Sequence, residues 1–415
     1  MNDKSEANIN RSIAVFCMPE NGHFQRMRSL ISNLAGQGFD VHVFTHQKFF
    51  QQVVKSGGIF FDLFSKYPLE AADNESIPVP SRFVSYAATY VEPVCREVES
   101  IGASLVVHDG FAVIGKLTAM LLGIPRVNVC AGHNVDPERF ISKLRGDPRV
   151  RISPRCFNAV EVLREKYGMA DASPFSYVSS HSPDLNIYCE PPEFLDEGER
   201  RALEPVAFYG SLTNASLEQD QPGSGAMHFG IGSEDCLKVY VSFGTVIWRY
   251  YAADALRALN TLSAAFADMD QVRAVISLGG TNIGSESRNG IRAENVFVED
   301  YVDQKSVLRE ADLFFTHHGL NSTHEAIVQG VPMVSYPFFW DQPGLAQRCQ
   351  ALGLALPLSS CLRGTFSKDD VFTLLDTLTA RRESFRGALS RARLWEELVA
   401  AGRPAVIQRM VGLIK

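Results

Sequence analysis

The chain has 415 residues, too many for one ordinary core, so two domains of about 150–220 residues each are expected. Apolar residues at 46% and charged residues at 21% are globular usage and exclude a disordered chain. A formal net charge of −7 lacks the basic field that many phosphate contacts need, which weighs against nucleic-acid binding. One diphosphate is still compatible with it, because backbone amides and a helix dipole hold an anion without net positive charge.

The eight cysteines are scattered and none forms a C-x-x-C pair, so free thiols in a reducing compartment are expected rather than a disulfide framework or a zinc site. Residues 1–11 are polar with no apolar h-region of a secretory signal behind them, and no run reaches the roughly 18 apolar residues of a spanning helix. The expectation is a cytoplasmic enzyme with no signal and no membrane span.

Along the first half, short β-branched runs alternate with helical patterns. Residues 12–18 read as a buried strand, followed by a loop with Gly22 and His23 and a helix to about Gly36. Strands are expected at 40–45 and 58–64, a helix at 84–100, a strand at 104–108, a helix at 111–122 and a strand at 125–130. Residues 131–180 read as irregular, and 206–212 as the last strand of this half. The stretch 214–235 holds four glycines and one proline among polar residues and reads as a linker. The rhythm then restarts, with strands at 238–242, 273–278, 296–298, 313–316 and 333–336. The tail from Ser384 is helical, with Leu394, Leu398 and Val399 spaced for one face. Repeated βα units build parallel sheets covered on both faces, so two doubly wound Rossmann-like halves facing across a cleft are expected. The divisions are 1–213, a linker at 214–236, 237–395, and a C-terminal helix at 396–415 that packs back on the first domain.

The segment THHGLNSTHEAIVQGVP, 316–332, carries the strongest chemical signal. A strand ends at Thr316, Gly319 allows a tight turn, and Asn321, Ser322 or Thr323 can cap a helix stopped by Gly330. Such a helix start presents amides and a dipole to an anion. By spacing alone it serves equally as a capped helix with no ligand.

Its surroundings decide. Tyr301-Val302-Asp303-Gln304, then Thr316-His317-His318-Gly319-Leu320-Asn321-Ser322-Thr323-His324-Glu325, then Pro337-Phe338-Phe339-Trp340-Asp341-Gln342 resemble the nucleotide-sugar motif of family 1 glycosyltransferases. That group includes plant secondary-product and bacterial macrolide enzymes, and the resemblance implies the GT-B fold. It also implies that His317, Gly319, Asn321 and Ser322 contact a diphosphate and that Glu325 binds ribose hydroxyls. Asp341 and Gln342 would then bind the transferred sugar, with Gln304 beside the base under an aromatic platform. Here the platform tryptophan is Tyr301, which still stacks with less area. Asp303 replaces the family proline and leaves uridine versus thymidine open. VYVSFGT, 239–245, resembles the first strand and loop of the same domain, with Gly244 approaching closely and Thr245 offering a hydroxyl to phosphate.

In the first half, MPENGHF follows the first strand, and doubly wound sheets put ligands at strand carboxyl ends. The family places a catalytic histidine after a P-x-x-G-H turn here, matched by Pro19, Gly22 and His23. In LVVHDGF, Asp109 stands where the family has its dyad aspartate; capping of the following helix is its rival reading.

Three other patterns point elsewhere. His317, His318 and His324 lack a zinc spacing, so no metal is expected. Asp268-Met269-Asp270 matches the D-x-D of metal-dependent transferases but ends a helical pattern. LGGTNIG, 278–284, lacks the dinucleotide-binding order. Aromatics outside the first-half strands suggest an apolar acceptor site, with Phe83, Tyr86, Phe111 and His133 as candidates. The implied function is inverting transfer of a hexose, glucose or a near relative, from a UDP- or dTDP-sugar to a hydroxyl of a small lipophilic natural product. No cofactor is needed beyond that co-substrate. The alternatives are a nucleotide-sugar epimerase or hydrolase on the same fold, or a non-catalytic nucleotide-sugar-binding partner protein.

Overall fold

Runs such as LVVHD and LFFT are buried along their whole length, the mark of parallel strands covered on both faces. The computed structural model describes residues 11–130, 132–133, 136–178, 181–210, 228–230 and 235–414. The chain divides into two units, Met1–Asn214 with Val399–Lys415, and Ala215–Leu398.

The first unit holds β1 (Ser12–Phe16), β2 (Asp40–Thr45), β3 (Ile59–Asp62), β4 (Leu105–Asp109), β5 (Arg126–Cys130), β6 (Leu185–Tyr188) and β7 (Val206–Phe208). They form one parallel sheet in the order β3-β2-β1-β4-β5-β6-β7. The second unit holds β8 (Leu237–Ser242), β9 (Val272–Ser277), β10 (Val296–Glu299), β11 (Leu313–Thr316), β12 (Met333–Ser335) and β13 (Ala355–Pro357). Their parallel order is β10-β9-β8-β11-β12-β13. In each sheet the winding reverses once, between β1 and β4 and between β8 and β11. Loops diverge there, so each reversal opens a crevice at the strands' carboxyl ends.

Several expectations need correction. Gly22 and His23 lie in the first turn of the helix Asn21–Gly36, not in a loop. The strand expected to reach residue 64 stops at Asp62, whose carboxylate accepts from Ser65 N at 3.1 Å and caps a short helix, Leu63–Lys66. The stretch expected to be irregular holds two helices among its described residues: Pro137–Gly146 and Pro154–Glu165 open on the side-chain caps Asp136 and Ser153, each followed by proline. The first buries only Leu144, so it leaves almost no apolar stripe to read. β6 escapes notice because Asn186 breaks its apolar run. That side chain is buried yet satisfied, accepting from Ser182 N at 2.8 Å and donating to Leu203 O at 3.1 Å. Of the linker at 214–236, residues 214–227 and 231–234 lie outside the described residues.

The tail helix Arg382–Val411 turns a different face inward than its leucines suggest. Leu394 and Leu398 are 52% and 61% exposed, while Phe385, Leu389, Ala392, Glu396, Val399, Arg403 and Met410 are buried. Glu396 pairs with His324 on the helix Leu320–Gln329. Past residue 398, Arg403 Nε donates to Tyr209 O at 2.9 Å and Arg409 Nη1 to Val206 O at 2.6 Å, which ties the tail to the end of the first unit's sheet. No helix among the described residues is long and apolar enough to cross a membrane. All eight cysteines are free.

The Glu396–His324 pair is all but sealed from water, at 2% and 0% side-chain exposure. Removing the carboxylate takes from the buried imidazole its Nδ1 partner, so Glu396→Ala should lower stability by about 2–3 kcal/mol, read by urea unfolding. A loss below about half a kcal/mol, the level of an ordinary surface substitution, would contradict this role.

Candidate active site

In the first unit, the reversal between β1 and β4 brings His23 and Asp109 together. Asp109 ends β4 with no exposed surface, and its Oδ1 lies 3.2 Å from His23 Nδ1. Oδ1 also accepts from Phe111 N at 2.7 Å, and Oδ2 from Met18 N at 3.1 Å. Burial alone pushes this carboxyl upward, but the His23 ring, the Met18 amide and the Cys17 thiol beside it leave it below its usual range. It is therefore ionised at neutral pH. The rival reading fails in its simple form, because the following helix, Val113–Leu122, has Ala112 as its N-cap.

A carboxylate accepts only, so the His23 nitrogen facing it carries the proton, and in the neutral ring the lone pair then lies on Nε2. The ring stacks on Phe111, centroids 3.9 Å apart at 30°, and its side chain keeps 15% exposure. Phe83 lies 6.2 Å from Phe111, ring to ring. The other two acceptor candidates point elsewhere. Tyr86 is buried and donates to Tyr67 O at 3.0 Å. His133 is buried 2.8 Å from a Glu190 oxygen that also accepts from the Tyr188 hydroxyl at 2.7 Å. Lys48 Nζ, which no sequence signal marks, donates to Pro19 O at 2.6 Å and holds the turn before His23.

In the second unit, the reversal between β8 and β11 packs His317 between two glycines. A Cβ on Gly244 would lie 2.7 Å from His317 Nε2, and one on Gly319 would lie 2.5 Å from the same atom. Gly244 also needs its positive φ of 74°. Gly319 does not: its φ is −63°, so it is required for the room it leaves, not for the tight turn expected of it. The left-handed residue is His318, φ 58°, held by Thr323 Oγ1 at 3.1 Å and Ser335 Oγ at 2.8 Å.

Desolvation holds the His317 ring neutral, pushing it down to about 4 against a backbone hydrogen bond at Ser242. Its Nδ1 is buried without a hydrogen-bond partner. Such an atom is costly unless a ligand meets it. The helix after it starts at Leu320 with Gly319 as N-cap and no side-chain cap, so Asn321, Ser322 and Thr323 occupy the first turn instead of capping it. Ser322 Oγ is 3.1 Å from Gln304 Nε2, which also donates to Glu325 at 2.7 Å. Desolvation raises the Glu325 carboxyl, opposed by that bond. Tyr301 is 72% exposed, Val302 is buried and Thr245 is exposed.

The third stretch closes the motif. Gln342 is buried, and its Oε1 accepts from Phe338 N at 2.9 Å and Phe339 N at 3.3 Å, leaving its amide hydrogens as donors. Asp341 is the N-cap of the helix Gln342–Ala351. Trp340 before it has φ 60°, a conformation costing an L residue roughly 1–2 kcal/mol. The three histidines do not converge, since His324 turns to Glu396 while His318 bonds Thr323 and Ser335. Asp268 caps the end of the helix Ala252–Ala267 and pairs with Lys368 at 2.6 Å in the open.

A family model for UDP-glucoronosyl and UDP-glucosyl transferase matches residues 201–389. The resemblance to family 1 glycosyltransferases is borne out. NDP-glycosyltransferase YjiC of Bacillus licheniformis is 24% identical over 356 residues, 83% of this chain and 84% of that protein. Oleandomycin glycosyltransferase of Streptomyces antibioticus is 24% identical over 84% of this chain and 79% of its own. The solved structure of the glycotransferase of kitacinnamycin superposes with a TM-score of 0.76 at 20% identity, over 97% of this chain and 99% of its own. The fold is of GT-B type, with two Rossmann-like α/β units.

The two glycines give a test that separates room from conformation. Gly319→Ala has no dihedral penalty, so its whole effect comes from pushing His317, an overpacking cost of about 1–3 kcal/mol. Combining it with His317→Ala should recover most of that loss in thermal or denaturant unfolding. Strictly additive losses would show that the ring is not what excludes the Cβ.

Proposed function

We propose that this chain is an inverting glycosyltransferase that moves a hexose, glucose or a near relative, from a UDP- or dTDP-sugar to a hydroxyl of a small, lipophilic natural product. The observation that carries the reading is the His23–Asp109 pair, 3.2 Å apart, with the carboxylate fully buried and ionised. A module that only bound nucleotide sugar would have no use for a base so arranged. The names of two similar proteins, which carry oleandomycin and kitacinnamycin, support a natural-product acceptor.

An acceptor hydroxyl is a poor nucleophile, so its proton must leave as it attacks. His23 Nε2 takes that proton, and Asp109 fixes the tautomer and stabilises the imidazolium that forms. Attack on the anomeric carbon from the face opposite the diphosphate inverts the centre. The leaving diphosphate gathers negative charge. The uncapped helix start at Leu320, the buried His317 nitrogen and the Asn321 and Ser322 side chains supply oriented dipoles for it. Glu325 takes the ribose hydroxyls, Gln304 and Tyr301 border the base with Val302, Gly244 and Thr245 flank the phosphates, and Asp341 and Gln342 take the sugar hydroxyls. Phe111, stacked on His23, with Phe83 next to Phe111, gives the acceptor an apolar wall.

His23→Ala should lower the rate of transfer by about 10²–10⁴-fold, the usual share of a general base, while calorimetry finds donor binding nearly intact. Equal transfer rates in variant and wild type would remove His23 from the mechanism.

Turnover should also survive exhaustive chelation, since a helix terminus and oriented donors can supply charge stabilisation of roughly 3 kcal/mol per donor. Loss on chelation, restored by magnesium or manganese, would assign that stabilisation to a cation instead.

A further inference from the structure

Arg363 has no part in the chemistry above, yet several contacts fix it against the turn that precedes Asp341. Its Nη1 donates to the Phe338 carbonyl. Its guanidinium lies 4.9 Å from the centre of the Tyr251 ring, which in turn lies 5.2 Å from Phe339. Its own carbonyl accepts from Arg257 Nη2 at 2.9 Å, and Arg257 is paired with Asp254 at 2.8 Å. The surrounding loop is stiff: Ser359 Oγ donates to Cys361 O at 2.8 Å, Gly364 N to the same carbonyl at 3.0 Å, and the Tyr336 hydroxyl to Gly364 O at 3.1 Å.

Residue 338 is thereby held from both sides. Gln342 Oε1 takes its N–H and Arg363 takes its C=O. Two residues on, Trp340 sits at φ 60°, a conformation that persists only when neighbours enforce it. Arg363 itself is left-handed at φ 57°, so the clamp is strained on both of its sides. Whatever fixes Phe338 and Trp340 also fixes where the Asp341 side chain starts.

We propose that Arg363 is a positioning residue that sets sugar selectivity, clamping the turn 338–342 so that Asp341 and Gln342 meet the hydroxyls of the donor sugar. This rests on the glycosyltransferase reading above. The nucleoside and phosphate contacts belong to other segments, 244–245, 301–304 and 317–325, whereas Arg363 bonds directly to the turn that carries Asp341 and Gln342.

The test uses the full chain, calorimetry with UDP and dTDP, and kinetics with the matching glucose donors and their singly deoxygenated analogues. Arg363→Ala should raise the KM for the glucose donor about tenfold, the scale of one charge-assisted hydrogen bond, and leave nucleoside diphosphate affinity within about twofold. Its preference for glucose over the deoxy analogues should narrow. Arg363→Lys, which keeps one donor for the Phe338 carbonyl, should recover most of the preference. Should Arg363→Ala not fold, Arg363→Gln, of similar reach and uncharged, carries the same comparison. An unchanged preference, or parallel loss of nucleoside diphosphate and sugar-donor affinity, overturns the proposal while leaving the enzyme's function standing. A wild-type chain that binds neither UDP nor dTDP overturns the underlying reading and this inference with it.

Discussion

The His317 ring occupies a place where two loops come so close that neither can carry a Cβ. β8 and β11 are hydrogen-bonded neighbours, and the loops after them must part in opposite directions because the winding reverses between them. An imidazole between Gly244 and Gly319 fills the gap at the bottom of that divergence. Filling it fixes the start of the helix Leu320–Gln329, and with it Ser322 and Glu325 and the Gln304 side chain that both bond. The same helix turns His324 the other way, onto Glu396 of the tail. One packed ring therefore sets the origin from which Ser322, Glu325 and the tail contact at His324 are measured.

The first unit solves a similar geometric problem with charge. Asp109 is a fully buried carboxylate, which is costly unless every lone pair finds a donor. Two backbone amides and one imidazole supply them, from β1's end, from the turn after β4 and from the first helix. Met18 and His23 belong to the first βα unit and Phe111 to the one that β4 opens, so the carboxylate holds the turn before His23 and the turn carrying Phe111 in one arrangement. Moving any of them breaks a bond that the buried charge requires.

Strands whose apolar runs are bounded by polar turns are legible: 40–45 and 313–316 read from the sequence residue for residue. Elements whose stability comes from caps or from satisfied polar groups are not. The helix at Pro137–Gly146 is announced by Asp136 and a proline, with only Leu144 buried. β6 hides behind Asn186, and the tail's inward face hides behind Glu396 and Arg403, polar residues whose partners lie far away in sequence. At the candidate site, His23 and Asp109 are each legible as strand-end residues. That they meet follows from β1 lying beside β4, an order no local pattern states. Gly319 is legible as a glycine that matters, but the reason, a ring one residue away in space, is visible only in three dimensions.

The buried histidines of the second unit sit beside the helix start at Leu320 without adding positive charge there. Desolvation pushes His317 to about 4 and His318 to about 3, so neither is a cation at neutral pH. What remains is directional: ring N–H groups, helix amides and hydroxyls whose orientations are fixed before a ligand arrives. Fixed dipoles in a site screened from water stabilise developing charge without the cost of reorienting solvent. They also bind the resting anion less indiscriminately than lysines would, because they reward one geometry and not merely one sign of charge. A net charge of −7 is thus no obstacle to an anion site built from packed neutral groups, the kind of group found around His317.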